Sequence, residues 1–169
     1  MKELKDSGDR RKFETGAVRD RAVGKGLPAL ISAPLMQNYI QNKLSNDDEH
    51  KALAAIYGIL ISGEWYQAIS VFHQLVNIED FVEAIRRLSL QLEKGAIKYS
   101  ERNWEKGIPL EEYCNSAIRH ILALIDGQDD EDHYAAALFN VMALYHTGYM
   151  ISIGKLPEEL GFGGANAST

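Results

Sequence analysis

Between residues 110 and 125 the apolar side chains Leu110, Tyr113, Cys114, Ala117, Ile118, Ile121, Leu122 and Ile125 alternate at spacings of three and four. That spacing follows the 3.6-residue turn and lays them on one stripe, so the segment reads as a helix with one buried face. The same logic extends along the chain. Leu30, Ile31, Pro34, Leu35, Tyr39 and Ile40 predict a first helix, interrupted near Pro34 because proline cannot donate to the preceding turn. Further helices are predicted from about Asp47 to Gly63, from Glu64 to Val76, and from Glu79 through Phe81, Val82, Ile85, Leu88, Leu92 and Ala96. The last runs from about Asp130 to Ile153, with Leu138, Val141, Met142, Tyr145 and Tyr149 inward.

No strand alternation, internal repeat or sustained heptad competes with this pattern. The expected fold is therefore all-α: an antiparallel bundle of about five to six helices joined by short connections. Residues 1–27 are polar and read as an extended arm, and the Gly-rich 155–169 segment reads as a loosely held tail. One domain suffices, since 169 residues with 46% apolar content can bury a core without staples.

Composition removes several function classes. A single cysteine, Cys114, excludes an intrachain disulfide and a two-cysteine zinc site, and fits a reducing compartment. There is neither an apolar run of spanning length nor a signal-peptide pattern at MKELKDSGDRRKFETG, so a cytoplasmic protein with no membrane partner is expected. A net charge of −6 argues against a nucleic-acid partner, which requires a broad basic surface. A small anionic ligand needs only a local cluster of cations. The GKG at 24–26 is not a phosphate loop, because Arg19 stands where glycine is needed and Gly26 where Ser or Thr is needed.

The polar residues hardest to explain by solubility fall in two places. In KYSERNWEKG, residues 98–107, the cations Lys98, Arg102 and Lys106 surround Asn103 and Trp104. Such a set either keeps a loop soluble over a small satellite core or places donors and a flat ring around a nucleotide. In the last helix pair, His133, Ala137 and Asn140 share one face, and Arg119 and His120 sit beside the apolar stripe of the preceding helix. If those helices are antiparallel, His120 approaches His133 and Asn140, where they would bind phosphate or base or shuttle a proton. The run Asp129, Asp130, Glu131, Asp132 reads first as an acidic helix start and second as metal ligands. His50, His73 and His146 read as core-edge histidines and Cys114 as a buried inert thiol.

Taken together, FETGAVRD at 13–20, GKG at 24–26, KYSERNWEKGIP at 98–109, SAIRHILALIDG at 116–127 and DEDHYAAALFNVMAL at 130–144 resemble a phage family. It is the N-terminal domain of dATP/dGTP diphosphohydrolases, related to MazG-like all-α nucleotide pyrophosphatases. The resemblance spans both ends of the chain and leaves about 41–90 outside, as an apparent insertion of two helices. It implies a MazG-like helical fold, self-association, and hydrolysis of nucleoside triphosphates to monophosphate and pyrophosphate with magnesium held by an ExxE helix and an ExxD helix. Laid on this chain, the ExxD positions fall at Ala137 and Asn140, while the preceding helix offers Arg119 and His120 and no glutamate between Ser116 and Ile125.

Three readings follow from that departure. In the first, the chain is a phage protein of the host cytoplasm that binds and sequesters a purine nucleotide or nucleotide-derived immune signal without hydrolysing it. No cofactor is then expected, and Arg19, Lys25, Lys98, Arg102, Asn103, Trp104, Lys106, Arg119, His120, His133 and Asn140 would form the ligand site. In the second it is a dATP/dGTP diphosphohydrolase using magnesium or manganese, with His120, Asp132 and His133 as candidate catalytic groups and Asp132 and His133 as metal ligands. In the third it is a structural or assembly protein whose polar residues fix helix register. Self-association is expected in each.

Overall fold

The computed structural model describes residues 10–20, 31–32, 34–35, 38, 48–76 and 81–164. Lys25, the GKG turn and most of the helix expected across Leu30–Ile40 lie outside these residues. Among the described residues, the longer helices are α1 (Asp48–Ser62), α2 (Ala68–Leu75), α3 (Phe81–Tyr99), α4 (Leu110–Ile125) and α5 (His133–Ser152). A 3-10 turn, Trp65–Gln67, leads into α2, and another, Asn103–Lys106, links α3 to α4. The all-α reading holds with one correction. Within the expected N-terminal arm, β1 (Arg10–Lys12) and β2 (Val18–Asp20) pair as a short antiparallel hairpin, with Arg11 opposite Arg19.

The α4–α5 hairpin is the centre of the molecule and its most extensive helix pairing. Glu111 and Glu112 occupy the first turn of α4, where carboxylates complement the exposed amides of the helix start. The helix stops at Gly127, whose φ of +70° lets the chain reverse while Gln128 N donates to Ala123 O at 2.9 Å. Asp132 then caps α5 by accepting from Ala135 N at 3.0 Å. This cap starts α5 at His133, three residues later than the acidic run alone indicated. The antiparallel arrangement shows in the contacts, since Trp104, just before α4, packs edge-on against His146 near the end of α5.

Most of the stripe read from the sequence is core: Tyr113, Cys114, Ala117, Ile118 and Ile121 are buried together with Leu138, Val141 and Leu144 of α5 and Ile56, Tyr57 and Ile59 of α1, whereas Leu122 and Ile125 at the stripe's end, and Tyr145 and Tyr149 expected inward on α5, are exposed. Burial raises the Cys114 thiol well above its ordinary value, as an inert core thiol requires. Phe13 and Ala17 from the hairpin loop join this core, so the loop is anchored by packing as well as by Thr15 Oγ1 donating to Gly107 O at 2.7 Å. The tail is also tied down as far as residue 164. Leu160 is buried, Phe162 packs on the core, and Gly163 N donates to Glu111 Oε1 at 2.7 Å.

Candidate functional site

One cavity of about 750 Å³ opens between β2, α3, the 100–105 loop, α4 and the start of α5. Its size falls in the range of ligand pockets, roughly 300–1,000 Å³. From α4 it is lined by Ser116, Arg119, His120 and Ala123, whose spacing of three, four and seven residues marks a second face beside the apolar stripe. From α5 come His133 and Asn140, from β2 Arg19, and from α3 and the loop Lys98, Arg102, Asn103 and Trp104. The structure thus brings most of the sequence candidates to one wall-to-wall site. Lys106 and Asp132 are not among the lining residues.

Each candidate is positioned differently. Asn103 is 6% exposed, and its amide pairs with the backbone of β2, donating to Val18 O at 2.9 Å and accepting from Val18 N at 3.3 Å. Its role is that of an extra strand residue that holds the hairpin against the loop. Trp104 is the anchor of that loop: it packs edge-on against Phe139 at 6.3 Å and His146 at 4.9 Å. Arg102 is paired with Glu105 at 2.7 Å and largely exposed, at the rim. Its φ of +56° puts a non-glycine residue in the left-handed region, a conformation that the surrounding contacts have to impose.

Two arginines converge inside the cavity. Arg19 Nη2 donates to Asn140 Oδ1 at 3.0 Å, and its guanidinium lies 5.6 Å from the centroid of the Tyr113 ring. Asn140, buried, also donates to Ala136 O at 2.7 Å, so both ends of its amide are satisfied. Burial pushes the Tyr113 phenol up to about 12, with Arg19 opposing, so the ring stays neutral beneath that cation and its hydroxyl donates to Trp104 O. Burial, and then the neighbouring Arg19, lower Arg119 from its ordinary value, with Glu112 opposing. Two like charges lining one cavity, one of them lowered by burial and by the other, is an arrangement that an anion relieves.

At the far end of the cavity, His120 and His133 face each other, Nδ1 to Nδ1 at 3.1 Å. Glu131 Oε1 stands 3.6 Å from each of these nitrogens. Asp130 Oδ1 lies 2.9 Å from His133 Nε2. The approach of His120 to His133, expected from an antiparallel hairpin, is therefore present, and Glu131 is the residue the sequence reading passed over as one of four acids at a helix start. Glu112 was missed in the same way. Asp132, by contrast, turns away: it accepts two bonds from Arg87, one at 3.0 Å from Nε, as well as capping α5.

The residues at the MazG-like metal positions do not fit a carboxylate-held magnesium. Ala137 is buried and offers no donor, the Asn140 amide is committed to Arg19 and Ala136, and Arg119 brings a positive charge to the place a hard cation would need.

No curated protein and no solved structure matches the chain. A protein family does: residues 68–150 match dATP/dGTP diphosphohydrolase, N-terminal. The match includes 68–90, part of the stretch expected to lie outside the resemblance, and it stops short of 13–26. No transmembrane helix is present among the described residues, none being long and apolar enough to cross a membrane. From the start of α2 to the last turn of α5, which includes every cavity residue named above except Val18 and Arg19, the chain matches the dATP/dGTP diphosphohydrolase N-terminal family that its sequence resembles.

Proposed function

We propose that the cavity takes a purine nucleotide, or a molecule derived from one, by its phosphate. The single observation that carries this reading is the convergence of Arg19 and Arg119 in a partly buried cavity of nucleotide size. A phosphate between two guanidiniums exchanges mutual repulsion for charge-assisted hydrogen bonds. The family match supports the nucleotide as the class of ligand. The absence of carboxylates at the MazG-like positions favours capture over turnover, and with it a phage protein that withholds a nucleotide signal from a host defence without cleaving it.

Hydrolysis is the second reading, favoured by the His120, Glu131 and His133 cluster beside the arginines and by the activity in the family's description. The two part on one experiment: purified protein is incubated with dATP or dGTP, with and without divalent metal, then heated, and the released material analysed. Capture predicts intact nucleotide in stoichiometric amount, and monophosphate accumulating over many turnovers would overturn it. Arg19→Ala and Arg119→Ala should each weaken binding by about 1 to 3 kcal/mol, and unchanged affinity in both would remove the pair from the site. Self-association of like copies belongs to the same proposal, supported by exposed apolar side chains at Tyr66, Ile69, Tyr145 and Tyr149. Light scattering that reports a monomer would remove it.

A further inference from the structure

We infer that His120, Glu131 and His133 form a three-ligand site for a divalent metal of the zinc class, opening on the cavity. The inference does not depend on the nucleotide reading, because it rests on the shape and chemistry of the three donors alone.

Shape comes first. The donor atoms make a triangle with edges of 3.1, 3.6 and 3.6 Å. In a tetrahedral zinc site with bonds of about 2.0 to 2.1 Å, neighbouring ligand atoms stand roughly 3.3 to 3.4 Å apart. A point about 2.1 Å from all three observed atoms lies roughly 0.7 Å above their plane, close to where a regular tetrahedron puts its centre. Packing as hydrogen bonds explains only the shortest edge, since 3.6 Å is too long for a hydrogen bond. The turn itself holds the triangle, because His133 N donates to Glu131 O at 3.1 Å and folds the glutamate back over the imidazole.

Proton positions agree with the shape. The Asp130 carboxylate, 2.9 Å from His133 Nε2, can only accept, which places a hydrogen on that nitrogen and leaves Nδ1 as the one available to a metal on the His120 side. A carboxylate behind a metal-binding histidine is the usual device that fixes its tautomer and orientation. Two imidazoles and one carboxylate are a borderline donor set, which prefers zinc, cobalt or nickel to magnesium or calcium. Three protein ligands also leave a coordination position over, and all three residues line the cavity, so water or a phosphate oxygen can complete the shell.

The test uses the full-length protein and metal ions alone. Cobalt(II) should bind with a stoichiometry of one and give the intense visible absorption of a four-coordinate ion, and zinc should displace it while a large excess of magnesium should not. His120→Ala and Glu131→Gln should abolish that absorption, and Asp130→Asn should weaken zinc binding by about 10- to 100-fold. Asp132→Asn, which alters the cap and the Arg87 pair, should bind metal as the parent does. His120 is 19% exposed, so its variant should keep the parent's circular dichroism even if a change at buried His133 does not. Zinc should also raise the parent's Tm and leave that of His120→Ala unmoved. A pale six-coordinate spectrum, or zinc affinity equal in parent, His120→Ala and Glu131→Gln, would overturn the inference.

Discussion

Replacing Asn103 by alanine tests whether the 98–107 loop serves the cavity by holding the hairpin that carries Arg19. The side chain makes two bonds to the Val18 backbone, at 2.9 Å and 3.3 Å. A typical intramolecular bond contributes about 0.5 to 1.5 kcal/mol, and the longer of these belongs near the low end. Asn103 is itself buried, so truncation also leaves a small void, whereas the Val18 groups are half-buried and regain part of their solvation. The sum is about 2 kcal/mol, which corresponds to a fall in Tm of roughly 4 to 8 °C for a domain of this size. Urea denaturation measures the first quantity, and amide exchange at Val18 should accelerate in the variant. Because Arg19 follows Val18 directly, phosphate-ligand affinity should fall in parallel, by about tenfold or more. A stability change under about 0.5 kcal/mol with Val18 exchange unaltered would refute this account of Asn103.

Two further predictions concern the frame around the site. Burial alone would raise the Asp132 carboxyl; the bonds from Arg87 and from Ala135 N overcome it and hold the group below its ordinary value. A depressed folded-state value means a stabilising contribution that is present above the carboxylate range of the unfolded chain and lost as pH falls through the lower folded value. Denaturation at pH 7 should therefore separate the parent from Asp132→Asn, and the gap should close as pH falls below the ordinary carboxylate range and through the lowered folded value; a gap that persists once the group is protonated would assign the effect to packing rather than charge. At Gly148 an added Cβ would lie 2.2 Å from Trp65 Cγ and 2.4 Å from Trp65 Cδ2. Although alanine is the better helix former by about 1 kcal/mol, overpacking a ring costs about 1 to 3 kcal/mol. Gly148→Ala should lower Tm, and a rise would show that the Trp65 ring moves aside freely.

The helices were legible because a stripe at 3.6-residue spacing survives any detail of packing. Cys114, Ala117, Ile118 and Ile121 lie where that stripe put them, all buried. The hairpin was not legible, since strands of three residues carry no alternation to count, and its polar strand residues Arg10, Arg11 and Lys12 are all exposed. Its anchors, the bond from Thr15 to Gly107 and those between Val18 and Asn103, reach across 92 and 85 residues, which no local pattern records. The four acids before α5 show the same limit at finer grain. In sequence Asp130, Glu131 and Asp132 are equivalent members of an acidic helix start. In the fold a single turn separates them: the first supports His133, the second faces the two imidazoles, and the third caps the helix and meets Arg87. Only the backbone bond from His133 to Glu131, set by where the cap starts the helix, decides which acid does what.

Asn140 is the residue at which that limit bears most on the site. α5 is buried on most of its circumference, so its apolar pattern has no clear face, and one asparagine among Leu138, Val141 and Leu144 reads from sequence as either a misfit or a function. The structure gives its amide one partner within its own helix, Ala136 O, and one from the hairpin, Arg19. A purely structural amide would need only partners inside the bundle; this one holds a cation that the bundle itself does not require. Asn140→Ala leaves Ala136 O with its helical environment and frees Arg19 from its buried acceptor. The stability cost should thus be modest, about 1 kcal/mol, while affinity for a phosphate-bearing ligand should fall several-fold because Arg19 is no longer held in place. Double-mutant measurement sharpens the test: in an Arg19→Ala background the Asn140→Ala change should have little further effect on affinity. Fully additive losses would mean that Asn140 acts on the ligand by itself, and no loss in either variant would take the hairpin out of the site.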